Sequence, residues 1–160
     1  MSCKLKKPLI GNHKMPLDNL DKWVEEIQKE IIEEEIKRYN KYIVELLLNP
    51  KNWGKPEDDD ISVWHAYEGS CGDTMQFFLK INEGIIEKAN FITDGCGATV
   101  AAGSQTTMMV EGQALEFAEN LHPIDVENAL GGLPDDHKHC AELAVTTLKH
   151  AIEKYKIQRF

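Results

Sequence analysis

Apolar residues recur at helical spacing from Leu17 to Leu48. Leu20, Trp23, Val24, Ile27 and Ile31 make one stripe, and Ile32, Ile36, Tyr39, Ile43, Leu46 and Leu47 make another, offset at Ile31-Ile32. Positions three and four apart share a helix face, so the pattern predicts either one long curved helix or two helices with a bend. Glu33-Glu34-Glu35 reads as a solvated face. Asn49-Pro50-Lys51-Asn52-Trp53-Gly54 then stops the helix, because proline cannot continue it and Asn and Gly favour turns. From Ile61 the period falls to two. Val63, His65 and Tyr67 alternate with Trp64 in a strand from Ile61 to Glu68, and Met75, Phe77, Leu79 and Ile81 alternate with polar residues from Thr74 to Ile81. Asn82-Glu83-Gly84 is a hairpin turn, and Ile85 to Thr93 returns as the third strand.

Helical spacing resumes after Thr93. A helix from Ala98 to Val110 is lined with Ala, Gly and Ser, which permits close approach to the sheet, and Met108 and Met109 read as core filling. Gln113 to Asn120 and Pro123 to Leu130 are short helices, the second opened by Pro123 and closed by Gly131-Gly132. The last helix runs from Lys138 to Lys156, with Ala141, Ala144, Val145, Leu148, Ile152 and Tyr155 as its buried stripe. The expected fold class is α+β: a small three-stranded antiparallel sheet packed against several helices, with an additional helix at the N-terminus. Residues 1–16 read as a loose tail, and Cys3 within it as an incidental thiol.

Composition narrows the function classes. The 160 residues suit one core of ordinary size. Asp and Glu outnumber Lys and Arg 27 to 18, for a formal net charge of −9, which argues against nucleic acid or an anionic membrane as a partner. No apolar run approaches the about 20 residues a membrane helix needs, and no signal-peptide pattern is read, so a cytoplasmic, reducing location is expected. In that setting widely spaced cysteines are ligands or nucleophiles more often than disulfides. The Asp58-Asp59-Asp60 triplet lacks the distal spacing of a calcium loop and reads as solvated.

The candidate chemistry rests on three cysteines at element ends. Cys71 lies on the Gly69-Ser70-Cys71-Gly72-Asp73 turn and Cys96 between Gly95 and Gly97 at a strand-to-helix junction; Cys140 lies in the first turn of the last helix, after His139. Helix starts favour thiolate, the form that binds metal or attacks sulfur, and glycines let a neighbour come close. Asp73 lies two residues after Cys71, and on an extended chain the two side chains face the same way. His65 reads as a cross-strand side chain and not as a ligand. There is no Cys-x-x-Cys pair, which sets aside zinc-ribbon and thioredoxin-type sites. Three thiolates, an imidazole and a carboxylate suit zinc or an iron–sulfur cluster equally.

Four motifs in combination give this chain a family resemblance: Asn-Pro-Lys-Asn-Trp-Gly at 49–54, Cys71-Gly-Asp73, Gly95-Cys96-Gly97, and Gly131-Gly-Leu-Pro followed by His139-Cys140. From about Tyr39 onward it resembles the iron–sulfur cluster assembly scaffolds, IscU and the N-terminal domain of NifU. The resemblance implies a scaffold domain over 39–160, with residues 1–38 as a tail and additional helix. It implies a carrier, not an enzyme: the protein receives sulfur from a cysteine desulfurase, takes iron from an iron donor, builds a cluster, [2Fe-2S] by expectation, and passes it to acceptor apo-proteins. By position, Cys71, Asp73, Cys96, His139 and Cys140 would bind the cluster, with zinc able to occupy the same ligands. Cys140, at a helix start beside Lys138, would be the sulfur acceptor, ionising below the ordinary thiol range. Bacterial scaffolds read Leu-Pro-Pro-Val-Lys where this chain has Leu133-Pro134-Asp135-Asp136-His137, which counts against recognition by the dedicated Hsp70 chaperone. No long insertion separates Cys96 from Cys140, which speaks against the zinc-dependent SufU-type carrier. A zinc-bound, persulfide-accepting sulfur-transfer protein is the alternative function. The N-terminal helix is expected to bury its stripe, equally on its own domain or on a partner, as a homodimer contact or against the desulfurase.

Overall fold

The computed structural model describes residues 19–159. The expectation for Cys3 lies outside them. Six helices and three strands follow in the order α1 (Leu20–Arg38), α2 (Lys41–Leu48), β1 (Val63–Glu68), β2 (Thr74–Asn82), β3 (Ile85–Thr93), α3 (Gly97–Val110), α4 (Leu115–Glu119), α5 (Pro123–Ala129) and α6 (Lys138–Gln158). The sheet is an antiparallel meander in the order β1-β2-β3. β2 and β3 join through Glu83 and Gly84, both at positive φ (49° and 75°), which matches the twist of a two-residue hairpin. Met75, Phe77 and Leu79 on β2 and Ile86, Ala89 and Phe91 on β3 are fully buried and form the sheet's contribution to the core. α6 lies across β1 and β2, α3 lies along β3, and α2 packs outside α3.

The small residues of α3 do what their size permits. Ala98, Ala101 and Ala102 are fully buried, and a Cβ on Gly103 would stand 2.4 Å from ring carbons of Phe91. The Asn-Pro-Lys-Asn-Trp-Gly segment does more than end a helix. Phe91 N–H donates to Asn52 O at 3.0 Å and Gly54 N–H to Phe91 O at 2.9 Å, while the Trp53 ring meets Phe91 edge-on at 5.3 Å. The segment therefore covers the free edge of β3, which otherwise would offer unpaired backbone groups.

The N-terminal helical stretch breaks at Tyr39-Asn40, eight residues past the shift in the apolar stripe. Asn40 Oδ1 accepts from Ile43 N–H at 2.9 Å, which caps α2, and its Nδ2 donates to Leu130 O at 2.8 Å. A cap fixed from a distant segment overrides the local stripe. The expected helix from Gln113 begins only at Leu115. Gln113 O accepts from Ile86 N–H at 2.9 Å, so this stretch is held extended beside β3. α1 does not bury its stripe among the described residues. Leu20, Val24, Ile31 and Ile36 are exposed, and Trp23 and Ile27 are half-buried. One member of the acidic run, Glu35, is buried instead of solvated.

Candidate metal and sulfur centre

The junction between β3 and α3 is built by short polar contacts. Asp94 Oδ1 accepts from Thr74 N–H at 2.7 Å and Thr93 Oγ1 from Gly95 N–H at 3.1 Å, so the chain leaves the sheet at a fixed angle. Cys96 follows as the residue before the first turn of α3, with extended backbone (φ −73°, ψ 178°). The glycines on either side make room for protein and not for a ligand. A Cβ on Gly95 would stand 2.7 Å from three atoms of Thr99, and one on Gly97 would stand 2.9 Å from Leu47.

Cys140, the third residue of α6, is fully buried against this junction. Thr99 lies between the two sulfurs: its hydroxyl donates to Cys140 Sγ at 3.3 Å and stands 3.6 Å from Cys96 Sγ. Cys96 is the thiol pulled below the ordinary range. The side-chain hydrogen bond from Cys140 is the largest cause; burial opposes it, and the Thr99 hydroxyl and the Thr99 and Ala98 amides at the helix start add to it. At Cys96, which ends the strand-to-helix junction, these donors converge.

His139 Nε2 stands 3.8 Å from Cys140 Sγ. His139 also lines a cleft of about 200 Å³ with Cys71, Tyr67, Glu142 and Leu143. Cys71 is half-buried at the tip of a tight turn in which Gly69 O accepts from Gly72 N–H at 3.0 Å and Gly72 has φ +84°. This geometry corrects the extended-chain argument for Asp73. The chain is turned and not extended here: Cys71 lines the cleft, and Asp73 is 1% exposed just before β2. Thr74 exchanges bonds with Asp94, its O accepting from Asp94 N–H at 3.3 Å, so Asp73 stands at the end of the sheet where the chain turns toward Cys96. Both Asp73 carboxylate oxygens are buried without a hydrogen-bond partner among the described residues. Burial of that kind is costly and calls for a ligand. Thiols, imidazole and an orphaned carboxylate are a fitting donor set for iron or zinc. Among the described residues, however, no three His, Cys, Asp or Glu side chains are gathered closely enough to hold a metal ion. Cys96 and Cys140 are assembled; Cys71 and Asp73 flank them.

A second polar group borders the site. Arg38 Nη2 donates to His137 Nε2 at 3.2 Å, so Nδ1 carries the imidazole proton and donates to Asp136 Oδ1 at 2.8 Å. The Tyr39 ring meets His137 edge-on at 5.4 Å. Neither this group nor Thr99 emerged from the sequence reading. Thr99 had one usable signal, its position a turn beyond Cys96 at a helix start. His65, by contrast, pairs with Phe77 across the sheet and sets its ring against His150 on α6.

Residues 38–160 match the NifU-like N terminal domain family. The chain belongs to that family. Among curated relatives, the iron-sulfur cluster assembly scaffold protein IscU of Aquifex aeolicus is 38% identical over 123 residues, covering 76% of this chain and 78% of the relative. The protein of that name from Escherichia coli K12 is 37% identical over 124 residues, covering 76% and 96%. The crystal structure of a nitrogen-fixing NifU-like protein (N-terminal) from Brucella abortus superposes with a TM-score of 0.59 at 17% identity, covering 77% of this chain and 97% of that one, which establishes the shared fold. The matched residues of this NifU-like chain begin at Arg38, the last residue of α1.

Proposed function

We propose that this protein is a scaffold for iron–sulfur cluster assembly: it takes up sulfur and iron, holds the nascent cluster and gives it to acceptor proteins. The observation that carries the reading is the buried, partnerless Asp73 carboxylate at the same end of the sheet as the Cys96–Thr99–Cys140 group. Cys71, Cys96 and Cys140 are assigned as thiolate ligands, with Asp73 and His139 completing the set around a [2Fe-2S] cluster. Zinc takes the same donors, so its presence in a purified sample does not identify the cargo. The sulfur donor is a cysteine desulfurase, iron comes from an iron donor, and the cluster leaves to apo-proteins.

Cys140 is assigned as sulfur acceptor. The Cys96 thiolate takes the Cys140 proton, and the resulting Cys140 thiolate attacks the terminal sulfur of the desulfurase persulfide. A Cys140 Sγ–S bond forms, the donor's S–S bond breaks, and the donor cysteine leaves as thiolate. Cys140 has no exposed surface, so the step requires its cover to open. The protein is a stoichiometric carrier in this scheme. No helix among the described residues is long and apolar enough to cross a membrane. We assign the exposed Leu20, Val24, Ile31 and Ile36 of α1 to an association surface, a homodimer contact.

Anaerobic reconstitution with ferrous iron and a sulfur source tests the main reading. A coloured protein with acid-labile sulfide matching its iron is expected. A colourless protein that retains only zinc would overturn it in favour of the zinc-bound sulfur-transfer alternative.

A further inference from the structure

Cys140 is fully buried, yet it is the third residue of α6, in the turn where an uncapped helix frays. His137 precedes α6, and among the described residues its side chain makes no capping bond to the helix. Other contacts hold that turn. His137 is 2% exposed, and both ring nitrogens are engaged: Nε2 accepts from Arg38 Nη2 at 3.2 Å, and Nδ1 donates to Asp136 Oδ1 at 2.8 Å. The Tyr39 ring meets it edge-on at 5.4 Å. On its other side the His139 ring stacks on it at 6.3 Å, and His139 Nε2 stands 3.8 Å from Cys140 Sγ. Asp136 belongs to the same short turn as His137, so Arg38 supplies the hydrogen bond that ties this turn to a distant part of the chain. Arg38 is itself exposed, and the helix behind it buries only Glu35.

We propose that Arg38 is a latch on Cys140: while it holds His137, the first turn of α6 keeps the thiol covered, and when it lets go that turn opens and presents it. The proposal rests on the scaffold reading for the role of Cys140 as sulfur acceptor. Cys140 is shut in the resting fold, so an incoming persulfide needs a way to reach it. The latch supplies one that is accessible from solvent. Arg38 ends α1, and the chain passes through the extended Tyr39 to Asn40, which is fixed to Leu130 O at 2.8 Å. α1 can therefore leave with Arg38 while α2 stays in place. Its buried residue, Glu35, has a carboxyl oxygen with no partner among the described residues, so uncovering it carries little penalty. Association on the exposed Leu20, Val24, Ile31 and Ile36 of the same helix is in this way coupled to access at Cys140.

The test is alkylation of the full-length metal-free protein with iodoacetamide at neutral pH, wild type against Arg38→Met. Each cysteine is followed by peptide mass spectrometry, and amide hydrogen exchange is read on the same proteins. Arg38→Met keeps an unbranched, helix-compatible side chain and removes the donor to His137. Losing a hydrogen bond of ordinary net strength shifts an opening equilibrium by about tenfold, so Cys140 is expected to label about tenfold faster. Cys71 is expected to label at an unchanged rate, and exchange to quicken at residues 138–142 but not in β2 and β3. Arg38→Lys, which still carries a donor, is expected to fall between the two. Equal labelling of Cys140 in wild type and Arg38→Met overturns the proposal. So does faster labelling with equally faster exchange through β2 and β3, which would mean that the variant loosens the whole fold. Failure of the latch and failure of the scaffold reading stay separate. A protein that assembles a cluster but labels equally keeps that function and loses the latch, whereas one that assembles none but labels faster keeps the latch alone.

Discussion

Replacing Thr99 with valine removes one hydroxyl from between Cys96 and Cys140 and leaves the shape of the side chain almost unchanged. The hydroxyl stands 3.6 Å from Cys96 Sγ and donates to Cys140 Sγ at 3.3 Å, and both sulfurs are buried. A hydrogen bond to a charged group contributes about 1.5–3 kcal/mol, and a pKa unit corresponds to about 1.4 kcal/mol. The contact is long and sulfur is a weak acceptor, so the lower figure applies. Thr99→Val should therefore shift the ionisation of Cys96 to higher pH, by about one unit at most since the single hydroxyl proton is shared with Cys140, with the Cys140 donor still in place. Thr99→Ser, which keeps the oxygen, should move it by much less. The assay is alkylation of the metal-free protein across pH, with the modified cysteine identified by peptide mass spectrometry and thiolate absorbance as a second probe. Identical pH profiles for Thr99→Val and wild type would refute the bridging role. So would a Thr99→Ser profile displaced as far as that of Thr99→Val.

Three further outcomes follow from the same geometry. Asp73→Ala removes a buried carboxylate with no partner, so the metal-free protein should lose no stability and gain up to about 1–3 kcal/mol in denaturant unfolding; the loaded protein should keep its cluster longer and pass it to an acceptor more slowly. Cys96 ionises more readily folded than unfolded, so its contribution to stability is fully present above the unfolded thiol value of about 8.5 and is lost as pH falls through the folded value; the midpoint difference between wild type and Cys96→Ser should grow as pH rises from acid to mildly alkaline. Gly103→Ala gains up to about 1 kcal/mol of helix propensity but drives a Cβ to 2.4 Å from the buried Phe91 ring, so a net loss of about 1–3 kcal/mol is expected in chemical denaturation.

The parts of the fold that were legible in the sequence are those governed by neighbours along the chain. Alternation in β2, the Glu83-Gly84 turn and the alanine face of α3 each encode their structure within about ten residues, and each is found in place. The break at Asn40 was not legible, because the apolar stripe runs on through it and the decision is made by Leu130 O, ninety residues away. The extended Gln113-Ala114 pair is likewise set by a bond to Ile86. At the site, the residue types were legible and their arrangement was not. Glycines beside Cys96 suggested open space, yet the space is filled by Thr99 and Leu47. Thr99 matters only because α6 delivers Cys140 to it across 41 residues.

The two worst surprises have the same physical character. Asp73 reads locally as a turn aspartate and Glu35 as one of a solvated run, yet both are buried with carboxyl oxygens that meet no donor. Folding alone gives no reason for either, since each costs stability that an asparagine or glutamine would recover in part. Cys96, also buried, is drawn toward its charged form, and Arg38 is hydrogen-bonded to His137. Elsewhere the molecule pairs its charges, as Lys80 with Asp60 and Lys138 with Glu127 and Asp135. In the scaffold reading, the cargo would supply the partner that the buried Asp73 carboxylate lacks. On that reading, local rules fail where the partner is the cargo and not a residue.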